Sequence, residues 1–202
     1  MALNIPLLKE ICETAGAPGF ENRIREIVLR EATPLVDKIT VDNLGNVTAF
    51  KKGKQAKKVM VAAHMDEIGF MLVDEEEGGL FEFVAIGGID ERQLVGKSVI
   101  VGKDHLPGVI GAKPIHMTTP EERKTALKLD QMRIDMGLDI GKKVKLGDRA
   151  TFATQFAQIG PSIRAKALDD RLGVVNLLAL IKHAPENIDL LAAFTTQEEV
   201  GL

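Results

Sequence analysis

Apolar residues recur at helical spacing in the first stretch of the chain, then in unbroken or alternating runs, and this change of period divides the sequence. Residues 4 to 33 read as helical: Ile24, Ile27, Val28 and Leu29 form an apolar stripe, and Asn4 can cap with Pro6 in the first turn. KITVD, the turn NLGN and VTAF then predict a hairpin. VMVAA (59 to 63) is continuous and apolar, as expected of a strand buried on both faces of a parallel or mixed sheet. From about Glu67 the texture becomes short stretches punctuated by glycine: GFMLVD, GGLFEFVAIGG, GKSVIVGK, GVIGAK and RATFATQFAQIG. Such density predicts a small β-barrel or sandwich, interrupted by one polar helical piece near PEERKTALKL. After Ser162 the longer pattern returns, with a helix in DDRLGVVNLLALIKHA and a buried strand in DLLAAFTT (189 to 196).

The simplest organisation is a discontinuous α/β domain, 1 to 66 plus 163 to 202, that hosts an inserted β-rich domain, 67 to 162. A sheet ending at LLAAFTT would leave an apolar strand edge uncovered. At 202 residues and 45% hydrophobic, the chain can bury a sizeable core. A formal charge of −3 with both signs interspersed gives no broad basic face, so nucleic acid is a poor partner. Cys12 is the single cysteine, which fits a reducing, cytoplasmic compartment. The start MALNIPLLKEIC lacks the cationic lead of a signal peptide, and no 18-residue apolar run predicts a membrane span.

Three places put acids or histidine at the ends of apolar runs: His64 and Asp66 after VMVAA, Asp169 and Asp170 before the helix, and Glu198 and Glu199 after LLAAFTT. Functional groups in open α/β sheets gather at the carboxyl ends of strands, which brings two of these motifs to one edge. Four carboxylates and an imidazole there would repel without a counter-charge, and divalent cations supply one. Each motif alone has a plainer reading: HMDE as a strand end, ALDDR as an acidic helix cap, QEEVG as a solvated turn. His105, His116 and His183 read as lying outside the site, and Cys12 as core rather than nucleophile.

AAHMDEIGF, AKALDDRLG and QEEVGL, in that order with a β-rich insertion between the first two, resemble the glutamyl, or tetrahedral, aminopeptidase family of co-catalytic metallopeptidases. GAPGFE, DNLGN and GVIGAKPIHM fit the same resemblance, which covers essentially the whole chain. The resemblance implies a mixed-sheet α/β catalytic domain and two divalent ions, zinc or cobalt. His64 would bind one ion, with Asp66 orienting its imidazole; Asp169 would bridge both, and Asp170 would follow it through a cis peptide; Glu199 would bind the second. Glu198 would be the general base toward the attacking water.

The implied substrates are peptides, shortened from their N-termini. The implied assembly is a homo-oligomer built through the inserted domain, from dimers to tetrahedral dodecamers. Chains of the family continue past QEEVG and supply an aspartate and a histidine that complete the two metal sites. This sequence stops at Leu202, so two protein ligands per ion and weak metal retention are expected. A fragment of a longer enzyme is the preferred account, beside a natural truncation or a piece completed by another polypeptide. A non-catalytic assembly module and a related di-metal carboxypeptidase or deacylase are the alternative functions.

Overall fold

The computed structural model describes residues 3–54 and 57–201. In chain order these form α1 (Ile5–Glu13), α2 (Asn22–Ala32), β1 (Lys38–Val41), β2 (Val47–Lys51), β3 (Lys58–His64), β4 (Gly69–Glu76), β5 (Leu80–Ile86), β6 (Ser98–Val101) and β7 (Leu106–Ala112). There follow β8 (Met132–Asp135), α3 (Gly137–Gly141), β9 (Arg149–Phe152), β10 (Ala157–Ile159), β11 (Ser162–Arg164), α4 (Leu168–Lys182) and β12 (Asp189–Thr195). They divide into two compact units, one of residues 1–67 with 155–202, the other of residues 68–154. Among the described residues no helix is long and apolar enough to cross a membrane.

The first unit is an α/β layer. Its mixed sheet has the order β1-β2-β12-β3, with β12 antiparallel to β2 and parallel to β3. Leu8 and Ile11 of α1, Ile24 and Val28 of α2, and Val174, Leu178 and Ile181 of α4 share one core with Val47, Ala49, Leu190, Ala192 and Phe194 of the sheet. Each large side chain in this core contributes about 1.5–3 kcal/mol relative to exposure. The β10–β11 hairpin belongs to the same unit.

Three expectations need correction here. The helical stretch of residues 4 to 33 is two helices, because Gly16 to Glu21 form a loop in which Gly19 takes φ +81°. VMVAA is buried on one face only: β3 is an edge strand and Met60 is 62% exposed. Its run of apolar residues hides a period-two alternation in burial that starts at Lys58. The strand of DLLAAFTT is not an edge; β12 is paired on both sides, and the edge strands of the sheet are β1 and β3.

The second unit is a closed six-stranded barrel in the order β4-β5-β8-β7-β6-β9. Phe70, Leu72, Phe81, Phe83, Val99, Val101, Ile110, Met132 and Ile134 fill it. Phe70 packs edge-on against both Phe83 and Phe152, with ring centroids 5.1 and 5.3 Å apart. Closure leaves no strand edge open, which answers the expected barrel or sandwich in favour of the barrel. The expected polar helix near PEERKTALKL is instead a series of short 3-10 turns, at Ile115–Met117, Glu122–Lys124 and Leu129–Gln131. Side chains compete for the backbone there: Glu122 accepts from the Thr119 amide at 2.6 Å, and Arg123 donates to the Ile115 and Thr118 carbonyls at 2.9 Å each.

Candidate active site

Parallel pairing of β3 with β12 sets the site. His64 and Thr195 are register partners at the carboxyl ends of the two strands, and the Met65 amide extends the ladder to the Thr195 carbonyl at 2.7 Å. HMDE and QEEVG therefore leave the sheet side by side. The third motif arrives with the first turn of α4. Two non-glycine residues in the left-handed region redirect the chain just before the acids: Ala167 (φ 54°) precedes Leu168-Asp169-Asp170, and Gln197 (φ 60°) precedes Glu198-Glu199. The Asp169–Asp170 peptide is cis.

His64 is the meeting point. Its Nε2 lies 3.1 Å from Asp169 Oδ1 and 3.9 Å from Glu198 Oε2, while Nδ1 faces Asp66 Oδ1 at 3.4 Å. That last approach is a charge contact rather than a well-directed hydrogen bond, since Nδ1 is buried without a partner of good geometry. His64, Glu198 and Glu199 each offer a ligand atom, all within 4.8 Å of one another. Asp169 joins them through the imidazole, with its own side chain 93% exposed. Asp170 points elsewhere: its Oδ1 accepts from the Gly173 amide at 3.0 Å and caps α4, so the plain reading of ALDDR holds for the second aspartate.

Asp66 does more than face the imidazole. Fully buried, it accepts the Glu198 amide on Oδ1 at 3.1 Å and the Glu199 amide on Oδ2 at 2.9 Å. Burial pushes its pKa up, but His64 and these two amides outweigh that and hold it below the ordinary carboxylate value. The Asp66 carboxylate in turn raises His64 to about 9, against the opposing effect of burial and with help from Asp169. Glu199 is pushed up by burial and by the neighbouring carboxylates, with His64 opposing.

The donor set fits divalent ions. The imidazole of His64 and the carboxylates of Glu198 and Glu199 offer ligand atoms within 4.8 Å of one another, and the Asp169 carboxylate meets the same imidazole at 3.1 Å. An imidazole and hard carboxylate oxygens suit ions such as zinc.

Four charged residues escaped the sequence reading as parts of the site. Glu67 is buried beside Asp66; its Oε1 and Oε2 accept from Lys166 Nζ at 2.6 and 2.7 Å, and Oε1 also accepts from the Gly16 amide at 3.0 Å. Arg171 is wholly buried, donating from Nη1 to the Ile11 carbonyl at 2.7 Å and standing 3.8 Å from Glu67 through Nη2. Gly16 makes room for it: a Cβ there would fall 2.6 Å from Nη2. Burial lowers the pKa of both Lys166 and Arg171, with Glu67 opposing. Glu21, only 3% exposed, completes the group. The one signal in the sequence was position, since each lies within or beside a quoted motif.

A family model described as M42 glutamyl aminopeptidase matches residues 45–202. The lysyl aminopeptidase of Pyrococcus furiosus is 30% identical over 207 residues, covering 97% of this chain and 60% of that protein. The solved structure of an aminopeptidase from the archaeon Desulfurococcus kamchatkensis superposes with a TM-score of 0.89 at 34% identity, over 98% of this chain and 56% of the other. A Pyrococcus horikoshii TET1 peptidase, described as able to assemble into a tetrahedron or a large octahedral shell, gives a TM-score of 0.85 at 36% identity, over 98% of this chain and 62% of the other. The chain spans 59% or 60% of the length of three curated relatives. Motif order, barrel insertion and sequence match agree, and the chain belongs to the M42 glutamyl aminopeptidase family.

Proposed function

We propose that this chain carries part of the catalytic centre of a metal-dependent aminopeptidase that removes N-terminal residues from peptides. The observation that supports the reading most is the convergence of His64, Glu198 and Glu199 within 4.8 Å at the ends of β3 and β12, with Asp169 at 3.1 Å from the same imidazole. His64, Asp169 and Glu199 are the residues that would hold two divalent ions, zinc or cobalt. Bound there, such ions supply Lewis acidity that polarises a scissile carbonyl and lowers the pKa of water toward neutrality.

The remaining work falls to the chain's own side chains. Glu198, 57% exposed at its side chain, is free to accept a proton from water at Oε2 and to deliver it to the leaving amine. Asp66, held by two backbone amides, faces Nδ1 of His64 and directs Nε2 toward the acids. The barrel, residues 68–154, is the surface for self-association into dimers and larger shells, in line with the shells described for the Pyrococcus horikoshii relative. The protein works in the cytoplasm.

Metal analysis and hydrolysis of an aminoacyl anilide test the catalytic reading. Glu198→Gln is expected to lower turnover by about 10²–10⁴-fold while leaving bound metal unchanged. Full turnover in that variant, or no binding when the wild-type protein is titrated with zinc, refutes the proposal. Light scattering tests assembly, and a monomer at every concentration measured would rule it out.

A further inference from the structure

The strand that delivers Glu198 and Glu199 outruns its neighbour. Backbone pairing of β12 with β2 ends at Phe194 and Val47, short of Thr196. Beyond that point a side chain takes over. The Thr196 amide donates to Asn46 Oδ1 at 2.8 Å, in the role a strand carbonyl plays further back, and the Thr196 hydroxyl donates to the same oxygen at 3.0 Å and to the Leu44 carbonyl at 3.3 Å. Asn46 belongs to the DNLGN turn between β1 and β2, to which the catalytic reading gives no task, and the turn is built to aim it. Asp42 Oδ1 accepts from the Leu44, Gly45 and Asn46 amides at 2.9, 2.9 and 3.0 Å, and its Oδ2 accepts from Asn46 Nδ2 at 2.8 Å. A carboxylate only accepts, so the Asn46 atom it meets is the nitrogen and the one left for Thr196 is the oxygen. Gly45 takes φ +96°, and a Cβ there would run into the Arg25 guanidinium, whose Nη1 donates to the Gly45 carbonyl at 3.3 Å.

We propose that Asn46 is a positioning residue for the catalytic turn, clamping Thr196 so that the turn presents Glu198 and Glu199 to the site. The inference rests on the assignment of those two glutamates under the proposed function. Between the clamp and the acids stands Gln197, at φ 60° and ψ 28°, a left-handed conformation that a side chain disfavours and that persists only where the surroundings impose it. It is held from both ends. On its far side Asp66 accepts the Glu198 and Glu199 amides at 3.1 and 2.9 Å, and on its near side Asn46 accepts the Thr196 amide. Packing adds little, because Gln197 borders a cavity of about 320 Å³ that it shares with Asp42, Leu44 and Gly45 of the same turn. Without the Asn46 acceptor, one end of the left-handed residue is released, and Glu198 and Glu199 lose the fixed direction from which they meet His64. DNLGN and QEEVG, whose partners Asn46 and Thr196 lie 150 positions apart, thus act as one unit.

Amide hydrogen exchange and zinc titration on the 202-residue chain test this without recourse to turnover. In Asn46→Ala the protection of the Thr196 amide is expected to fall about tenfold, while the Leu190 and Ala192 amides, further back along β12, keep theirs. Zinc is expected to bind the same variant about tenfold more weakly. Should Asn46→Ala fail to fold, Thr196→Val, equal in shape but without the hydroxyl, is expected to lower protection of the amide at position 196 about threefold, and Thr196→Ser, which restores the hydroxyl, to return it to the wild-type value. An unchanged amide at position 196 overturns the proposal, and so does an equal loss of protection along the whole of β12. Unchanged zinc affinity beside a less protected Thr196 also overturns it, since Asn46 would then be a merely structural residue. The wild-type titration separates the two readings: if that protein binds no zinc, the metal assignment fails, while the Thr196 amide still reports on the clamp.

Discussion

Removing the charge of Glu67 tests the buried charge cluster most directly. Its carboxylate is 1% exposed and stands between Lys166, 5% exposed and 2.6 Å away, and Arg171, 0% exposed and 3.8 Å away. At an effective dielectric of about 20, the attractions are about 6 and 4 kcal/mol. The cost of burying the carboxylate offsets much of this, but Glu67→Gln leaves two buried cations with no anion between them. Breaking a buried pair in this way costs about 3–5 kcal/mol. For a chain of this size that is a fall in Tm of about 6–20 °C. Urea denaturation followed by circular dichroism measures the loss, with Lys166→Met and the double variant closing a cycle. Because Lys166→Met removes one of the stranded cations, the double variant is expected to recover part of the loss, with a coupling of about 1–3 kcal/mol. A loss under about 1 kcal/mol, or strictly additive single effects, would refute the reasoning.

Asp66→Asn should weaken zinc binding about 10–100-fold in a competition titration with a chromophoric chelator, and an unchanged affinity would remove its orienting role. In the ion-free protein His64 titrates near 9, above its ordinary 6.5, because of Asp66. Its stabilisation is therefore complete below pH about 6.5 and lost as pH climbs through about 9; ring-nitrogen NMR checks the midpoint, and a value at or below 6.5 contradicts the geometry. Ala167→Gly, at φ 54°, should raise stability by about 0.5–1 kcal/mol and Ala167→Val should lower it, as read from urea midpoints.

Burial and pairing separate what the residues announced from what they concealed. The period of apolar positions placed α4, β12 and the β1–β2 hairpin, because each buries a face whose spacing the chain must repeat. It misread VMVAA, since an edge strand and a central strand can carry the same letters, and only the pairing of β12 between β2 and β3 tells them apart. It misread PEERKTALKL, where no apolar stripe opposes local side-chain bonds to the backbone.

The histidine and the acids were legible: His64, Asp66, Asp169, Glu198 and Glu199 stand at the ends of apolar runs, and the strand ends bring His64, Asp66, Glu198 and Glu199 to one edge. The supports of the site were not. Glu21, Glu67, Lys166 and Arg171 look like ordinary surface charges in a string of letters. A charge is stable in the interior only when a counter-charge or amide meets it there, and such meetings join residues as far apart as 66 and 199. Sequence alone determined most of the elements and which charged residues stand at their ends, because both follow from local spacing. The tertiary structure decided which charges are buried and whom they face, because desolvation is a property of the surroundings and not of the residue.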